Sequence, residues 1–111
     1  MNNKKLTIKI GIPAYNEEAN IGLLLRSLLS QNKKYFKLKE LVVISDGSTD
    51  KTNQEVAKIK NSKIKLIKGI ERVGQQARQN QLLKALKDDV LVLIEADCLP
   101  ENKDALDNLI F

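Results

Sequence analysis

Four short apolar runs punctuate the chain, and each leads through a polar turn into a stretch with helical spacing. No other feature restricts the fold as much. In the first run Leu6, Ile8, Ile10 and Ile12 alternate with Thr7, Lys9 and Gly11, which is a strand period, and Pro13 ends it. Ile21, Leu24, Leu25 and Leu28 then recur at the spacing of one apolar helical stripe. Asn16 is expected to cap that helix, with Glu17 and Glu18 in its first turn, where the helix dipole favours acids.

A basic linker, "QNKKYFKLKE", leads to the second run, Leu41 to Ser45, whose unbroken apolar character predicts a strand covered on both faces. "DGSTD" breaks it, with Gly47 as the turn and Ser48, Thr49 and Asp50 as competing caps for a helix whose inner stripe is Thr52, Val56 and Ile59. "KIKLI" reads as a third strand, placed near a sheet edge by its lysines. "GIERVGQQARQN" opens a third helix with Leu82, Ala85 and Leu86 inward. Val90 to Ile94 is the fourth strand, and Pro100 precedes a short helix with Leu106, Leu109 and Ile110 inward.

Strand and helix thus alternate with short connections, which predicts an α/β fold with a parallel, right-handed, doubly wound sheet. No repeat or internal boundary divides residues 1–111, so one domain is expected. Lys9 is awkward in a central strand and is expected where a face is incompletely covered.

Composition narrows the chemistry. The chain has no histidine, which excludes histidine triads and zinc sites with histidine ligands. Its one cysteine, Cys98, excludes an internal disulfide framework and fits a reducing compartment. The N-terminus lacks the apolar core of a signal peptide, and no run approaches the ~20 apolar residues of a membrane span, so a cytoplasmic location is expected. The net charge of +5 lies largely in Asn32 to Lys39 and Lys58 to Lys68, read as solvated faces.

In a parallel sheet the carboxyl ends of the strands share one edge. "PAYNEE", "SDGSTD" and "EADCLP" therefore meet there, and the region of Arg72 approaches them ahead of the third helix. Glu17, Asp46 and Asp97 then face one crevice, which implies a cation or the hydrogen-bond donors of a ligand. No G-x-G-x-x-G or G-x-x-x-x-G-K-[ST] pattern is present, so an anionic ligand would need a metal and basic side chains such as Arg72 and Arg78, although a structural role at the helix start suits Arg78 and Asn80 at least as well.

The segments "IGIPAYNEEANIGLLLRSLLSQ", "ELVVISDGSTDKT", "RVGQQARQNQLLKAL" and "VLVLIEADCLP" resemble, in register, the nucleotide-sugar-binding half of the family 2 glycosyltransferases. The resemblance implies the GT-A fold, a three-layer, mostly parallel, Rossmann-like sheet, here as a single partial, truncated domain over 1–111. It implies a UDP-sugar donor pocket in which Pro13, Ala14, Tyr15 and Glu17 hold uracil and ribose. Asp46 would accept from uracil N3–H, and Arg72 would lie near base or diphosphate. The family's D-x-D motif reads Glu95-Ala96-Asp97 here, with Asp97 as the ligand of Mg2+ or Mn2+ and Glu95 near a ribose hydroxyl or metal-bound water. The acceptor site and catalytic base are expected beyond Phe111, with Asp104 and Asp107 as surface charges and Cys98 as a loop residue rather than a metal ligand.

The rival reading is a catalytically inactive homologue acting as a binding or self-association module through an exposed sheet edge. A nucleotidyltransferase is a weaker third, because the first loop lacks glycine and basic residues. No nucleic-acid partner is expected, and membrane association only through the acceptor.

Overall fold

The computed structural model of the chain describes residues 6–86 and 90–110. The elements are β1 (Leu6–Ala14), α1 (Ile21–Leu29), β2 (Phe36–Ser45), α2 (Thr52–Ala57), β3 (Ile64–Lys68), α3 (Gln75–Ala85), β4 (Val90–Leu93) and α4 (Ala105–Ile110). The strands form one parallel sheet in the order β3-β2-β1-β4. β1 and β2 are central, and β3 lies at an edge, as its lysines predict.

Ile8, Ile10, Ile12 and Ala14 of β1 point to one face and pack with Ile21, Leu24, Leu25 and Leu28 of α1, Val56 of α2 and Leu106 of α4. Val42 and Ile44 of β2 point to the other face, against Leu82 and Leu86 of the α3 segment, with Leu91 and Leu93 of β4 beside them. The result is three layers, helix on sheet on helix. Each fully buried Ile or Leu contributes about 1.5–3 kcal/mol relative to exposure, so the two apolar faces supply most of the driving force.

The basic stretch before Leu41 is not a linker throughout, because β2 begins at Phe36. The register with β1 shifts between Ile8 and Lys9, where Ile8 faces Leu38 but Lys9 faces Glu40. The extra residue, Lys39, changes the phase of β2. Phe36 and Leu38 before it, and Leu41 and Val43 after it, therefore enter the same core. A two-residue alternation read straight through this segment fails at that step.

Other expectations change as well. Lys9 is not placed by an open face; its side chain is largely buried, with Nζ 3.5 Å from the Glu40 carboxylate on β2. Ala85 and Leu109 are exposed rather than inward, while Leu82, Leu86 and Leu106 are buried. The side chain of Ile110 lies outside the described residues. Asp107 is no surface charge: it is buried and accepts from the backbone N–H groups of Lys34 (3.0 Å) and Tyr35 (3.1 Å). Asp104 is exposed, as expected. Among the described residues no helix is long and apolar enough to cross a membrane.

Candidate functional site

The strand ends are fixed by ladder bonds that run past the last strand residues. Asp46 N–H donates to Ala14 O (2.7 Å), Gly69 N–H to Ser45 O (2.8 Å) and Ile94 N–H to Gly11 O (3.0 Å). Three polar turns and the segment after β3 are thereby brought to one edge of the sheet. This is the edge at which open α/β sheets take ligands.

Asn16 does not cap α1, which begins at Ile21 with Asn20 before it and no acid in its first turn. It sits instead in the left-handed region, at φ 50°. Its side-chain oxygen accepts from Thr49 N–H (2.8 Å) and Asp50 N–H (3.3 Å), and its own N–H donates to Ser48 Oγ (3.2 Å). Glu17 N–H donates to Thr52 Oγ1 (2.8 Å) and Glu18 N–H to Asp50 Oδ2 (3.2 Å). The turn after β1 is thus tied to the turn after β2. None of the three competing residues is the N-cap of α2, which is Lys51 and makes no side-chain cap bond. Asp50, one residue earlier, accepts from both the N–H (2.9 Å) and the hydroxyl of Thr52, the first residue of α2. Burial pushes the Asp50 carboxyl up, but the Thr52 and Glu18 donors outweigh it and hold the group below the usual carboxylate value.

Asp46 is buried at the end of β2. Its Oδ1 accepts from Val73 N–H (2.8 Å) and Arg78 Nε (2.8 Å), and its Oδ2 from Gly74 N–H (2.9 Å). Burial alone would raise its pKa. The two backbone donors and the guanidinium reverse that effect, so the carboxyl stays below its ordinary value and ionised. Gly47, at φ +67°, lets the segment after β3 come close, because a Cβ there would lie 2.5 Å from Glu71 C and 2.6 Å from Arg72 N. That segment carries Arg72, whose guanidinium carbon lies 4.1 Å from the Tyr15 ring centroid. A cation over a tyrosine face at this distance is worth about 0.5–2 kcal/mol.

One cavity of about 230 Å³ is lined by Pro13, Ala14, Tyr15, Glu17, Asp46, Arg72, Gln75, Glu95, Ala96 and Asp97. All eight residues singled out in the sequence as nucleotide-sugar contacts line it. Gln75 and Ala96 were missed. Ala96 lies between two chosen acids, and Gln75 follows the left-handed Gly74 as the first residue of α3, a position that points at the strand ends. Arg78, offered above as a basic group for an anion, does not line this cavity; it is buried against Asp46.

Glu95, Asp97 and Cys98 are exposed and bring one ligand atom each within 4.8 Å of one another. Two carboxylates at the rim of this cavity form a hard oxygen set that suits Mg2+ or Mn2+. Cys98 is a softer donor than these oxygens, and local desolvation and the charges of Asp97 and Glu95 push the thiol's pKa up.

A doubly wound parallel sheet with an acid-lined pocket at its carboxyl edge, and no glycine-rich phosphate loop, is the arrangement of a GT-A transferase domain. The family model described as Glycosyl transferase family 2 matches residues 9–110, and the chain belongs to that family, corresponding to the N-terminal half of its domain. It is 33% identical over 90 residues to the UDP-Glc:alpha-D-GlcNAc-diphosphoundecaprenol beta-1,3-glucosyltransferase WfaP of Escherichia coli, covering 81% of this chain and 35% of that protein. The mannosyltransferase PcManGT of Pyrobaculum calidifontis, solved with GDP-Man and Mn2+, superposes with a TM-score of 0.79 at 25% identity, over 97% of this chain and 32% of that one. S. aureus TarS, solved with UDP-GlcNAc, gives a TM-score of 0.75 at 30% identity, over 95% of this chain and 30% of that one. The chain spans between 20% and 35% of the length of the curated relatives it matches.

Proposed function

We propose that this chain is the donor-binding half of an inverting glycosyltransferase, holding a UDP-sugar and a divalent ion at the carboxyl edge of the sheet. One observation carries the reading: Pro13, Ala14, Tyr15, Glu17, Asp46, Arg72, Glu95 and Asp97, drawn from four separate connections, line a single cavity.

Asp46 reads the base. An ionised carboxylate only accepts, and it offers roughly four lone-pair sites. Three are taken by Val73 N–H, Gly74 N–H and Arg78 Nε, which leaves one on Oδ2. Uracil N3–H fits that acceptor. Cytosine N3 and adenine N1 are themselves acceptors and are repelled. Guanine also carries a donor, at N1, so this acceptor separates uracil from cytosine and adenine. Tyr15 supplies an aromatic face and Glu17 an acceptor for ribose. Arg72 sits where it can meet base or diphosphate.

Asp97, with Glu95, would hold Mg2+ or Mn2+. The bound ion supplies Lewis-acid stabilisation of the departing nucleoside diphosphate. The reaction that this half would serve is transfer of the sugar to an acceptor hydroxyl, with inversion at the anomeric carbon. Calorimetry with UDP, with and without Mn2+, tests the reading. UDP should bind tighter than CDP or ADP, and both Asp46→Ala and Asp97→Ala should weaken it. Equal affinity for CDP and UDP would refute the assigned role of Asp46.

The second reading is a self-association module. It is favoured by β4, which pairs with β1 alone among the described strands and leaves Val90 exposed at its start. Light scattering that shows a monomer over a wide concentration range would remove it.

A further inference from the structure

We infer that Arg78 is a positioning residue of the pocket, which fixes both Asp46 and the Glu71–Gly74 segment in the arrangement the nucleoside uses. The inference deepens the nucleotide reading above and depends on it.

Arg78 is on α3, only 7% exposed, and each of its three side-chain nitrogens donates one hydrogen bond within the protein. Nε donates to Asp46 Oδ1 (2.8 Å), Nη2 to the Glu71 carbonyl (2.7 Å) and Nη1 to Gln81 Oε1 (2.9 Å). One planar group therefore joins the end of β2, the segment after β3 and its own helix. A lysine ammonium carries its three donors on one nitrogen and cannot span this fork.

Two consequences reach the ligand side. Together with Val73 N–H, Arg78 saturates Asp46 Oδ1, so the open acceptor site lies on Oδ2. In addition, the carbonyl it holds belongs to Glu71, the residue before Arg72, whose guanidinium lies 4.1 Å from the Tyr15 ring centroid. Loss of Arg78 would free both the carboxylate and the segment, and would leave a buried charge without its cation.

The backbone is shaped around this side chain. A Cβ on Gly69 would lie 2.1 Å from Arg78 Nη2 and 2.6 Å from the Ser45 carbonyl oxygen. Gly69 is the space the guanidinium occupies. A methyl there displaces the fork and leaves the charge in the protein, which gives a second way to break the arrangement.

The test compares Arg78→Gln, Arg78→Lys and Gly69→Ala with wild type, and uses Lys84→Gln, an exposed change on the same helix, as control. Two readouts are taken on protein that is folded by circular dichroism: amide exchange and Tyr15 ring shifts by NMR without ligand, and UDP affinity by calorimetry. Arg78→Gln and Gly69→Ala should each weaken UDP about tenfold to a hundredfold, as expected for a lost charged hydrogen bond. They should also speed exchange at Val73 and Gly74 and move the Tyr15 resonances. Arg78→Lys should recover part of the loss, and Lys84→Gln should match wild type. Folded Arg78→Gln protein with unchanged exchange at Val73 and Gly74, or with UDP affinity within twofold of wild type, overturns the inference. Wild type that binds no UDP overturns the nucleotide reading instead; faster exchange in the variants then still supports the clamp, and unchanged exchange overturns it.

Discussion

Asn16 and Thr49 hold each other across the two turns that follow β1 and β2. The Asn16 side-chain oxygen accepts from Thr49 N–H at 2.8 Å, and Asn16 Nδ2 donates to Thr49 Oγ1 at 3.2 Å. Asn16 adopts φ 50°, a region that asparagine tolerates and alanine does not. Asn16→Ala should therefore lose two kinds of stabilisation, the inter-turn bonds and the backbone preference, for about 1–3 kcal/mol in all. Urea unfolding measures it. Because Tyr15 and Glu17 flank this residue, UDP affinity should fall as well. A variant as stable as wild type would mean the two turns are held by other contacts.

Gly47 is the second backbone position with no substitute. Its φ is +67°, and the atoms that an added Cβ would strike are backbone, Glu71 C and Arg72 N. Backbone held by Asp46 and Arg78 has little freedom to retreat. Gly47→Ala should lower stability by about 1–3 kcal/mol or more and shift the Arg72 and Tyr15 resonances. A thermal melt beside an NMR spectrum checks both parts. An unchanged melting temperature would contradict the close approach.

The acid limb of stability should report Asp46 and Asp50. Both carboxyls are held below their ordinary value in the folded chain: burial pushes each up, and the hydrogen bonds from Val73, Arg78 and Gly74, or from Thr52 and Glu18, outweigh it. A depressed folded pKa means that the unfolded chain binds more protons, so stability rises with pH. The contribution is complete above the unfolded value of about 3.9 and is lost as pH falls through the folded values below it. Asp46→Asn should be less stable than wild type at neutral pH, and the gap should narrow as pH falls below about 4. Denaturant titrations at a series of pH values read this directly. A gap that widens on acidification would show the sign to be wrong.

Most of the fold was legible because two periodicities carried it. Ile8, Ile10 and Ile12 alternate as a strand must, and Ile21, Leu24, Leu25 and Leu28 recur as a helix must. The cavity lining followed from topology, since a parallel sheet collects its carboxyl-end turns at one edge. What escaped was set by tertiary contact. The extra residue at Lys39 is invisible to a two-residue alternation, because it changes phase only against a partner strand. Asn16 carries the signature of a helix cap, yet its bonds go to residues more than 30 positions away. For Arg78 the sequence offers a ligand contact and a structural role at the helix start alike, and its bonds to Asp46 and Glu71 O decide for the structural one.

Asp107 belongs with these, because an aspartate on a short terminal helix reads as solvated. It instead accepts from the N–H groups of Lys34 and Tyr35, which lie at the entry to β2. Gln31 reinforces the joint: its Nε2 donates to Asn102 O (2.7 Å), and its Oε1 accepts from Leu106 N–H (3.0 Å). Asp107→Ala leaves two backbone donors without their acceptor and should cost about 1–3 kcal/mol. Asp104→Ala, at an exposed position, loses the bond from Asn32 Nδ2 (2.8 Å) and should cost less, about 0.5–1 kcal/mol. Equal effects from the two would place the stapling elsewhere.

The ion proposed for the pocket can be tested apart from turnover. Glu95, Asp97 and Cys98 each present a ligand atom to the same small region, but their chemistry differs. The carboxylates are hard, anionic oxygen donors. Local desolvation and the charge of its acidic neighbours push the thiol's pKa up, and sulfur is a soft donor, a poor partner for Mg2+ or Mn2+. Cys98→Ser should therefore leave Mn2+-dependent UDP binding within about twofold, while Asp97→Asn should lower it by tenfold or more, as for a lost charged ligand. Glu95→Asp restores the shorter acid and should bind at least as well as wild type, because the carboxylate is kept. Paramagnetic broadening by Mn2+ gives an independent reading: it should reach residues around 95–97 in wild type and Cys98→Ser, and fade in Asp97→Asn. Strong loss in Cys98→Ser would instead assign the ion to sulfur, and would point to a softer metal than the oxygen set implies.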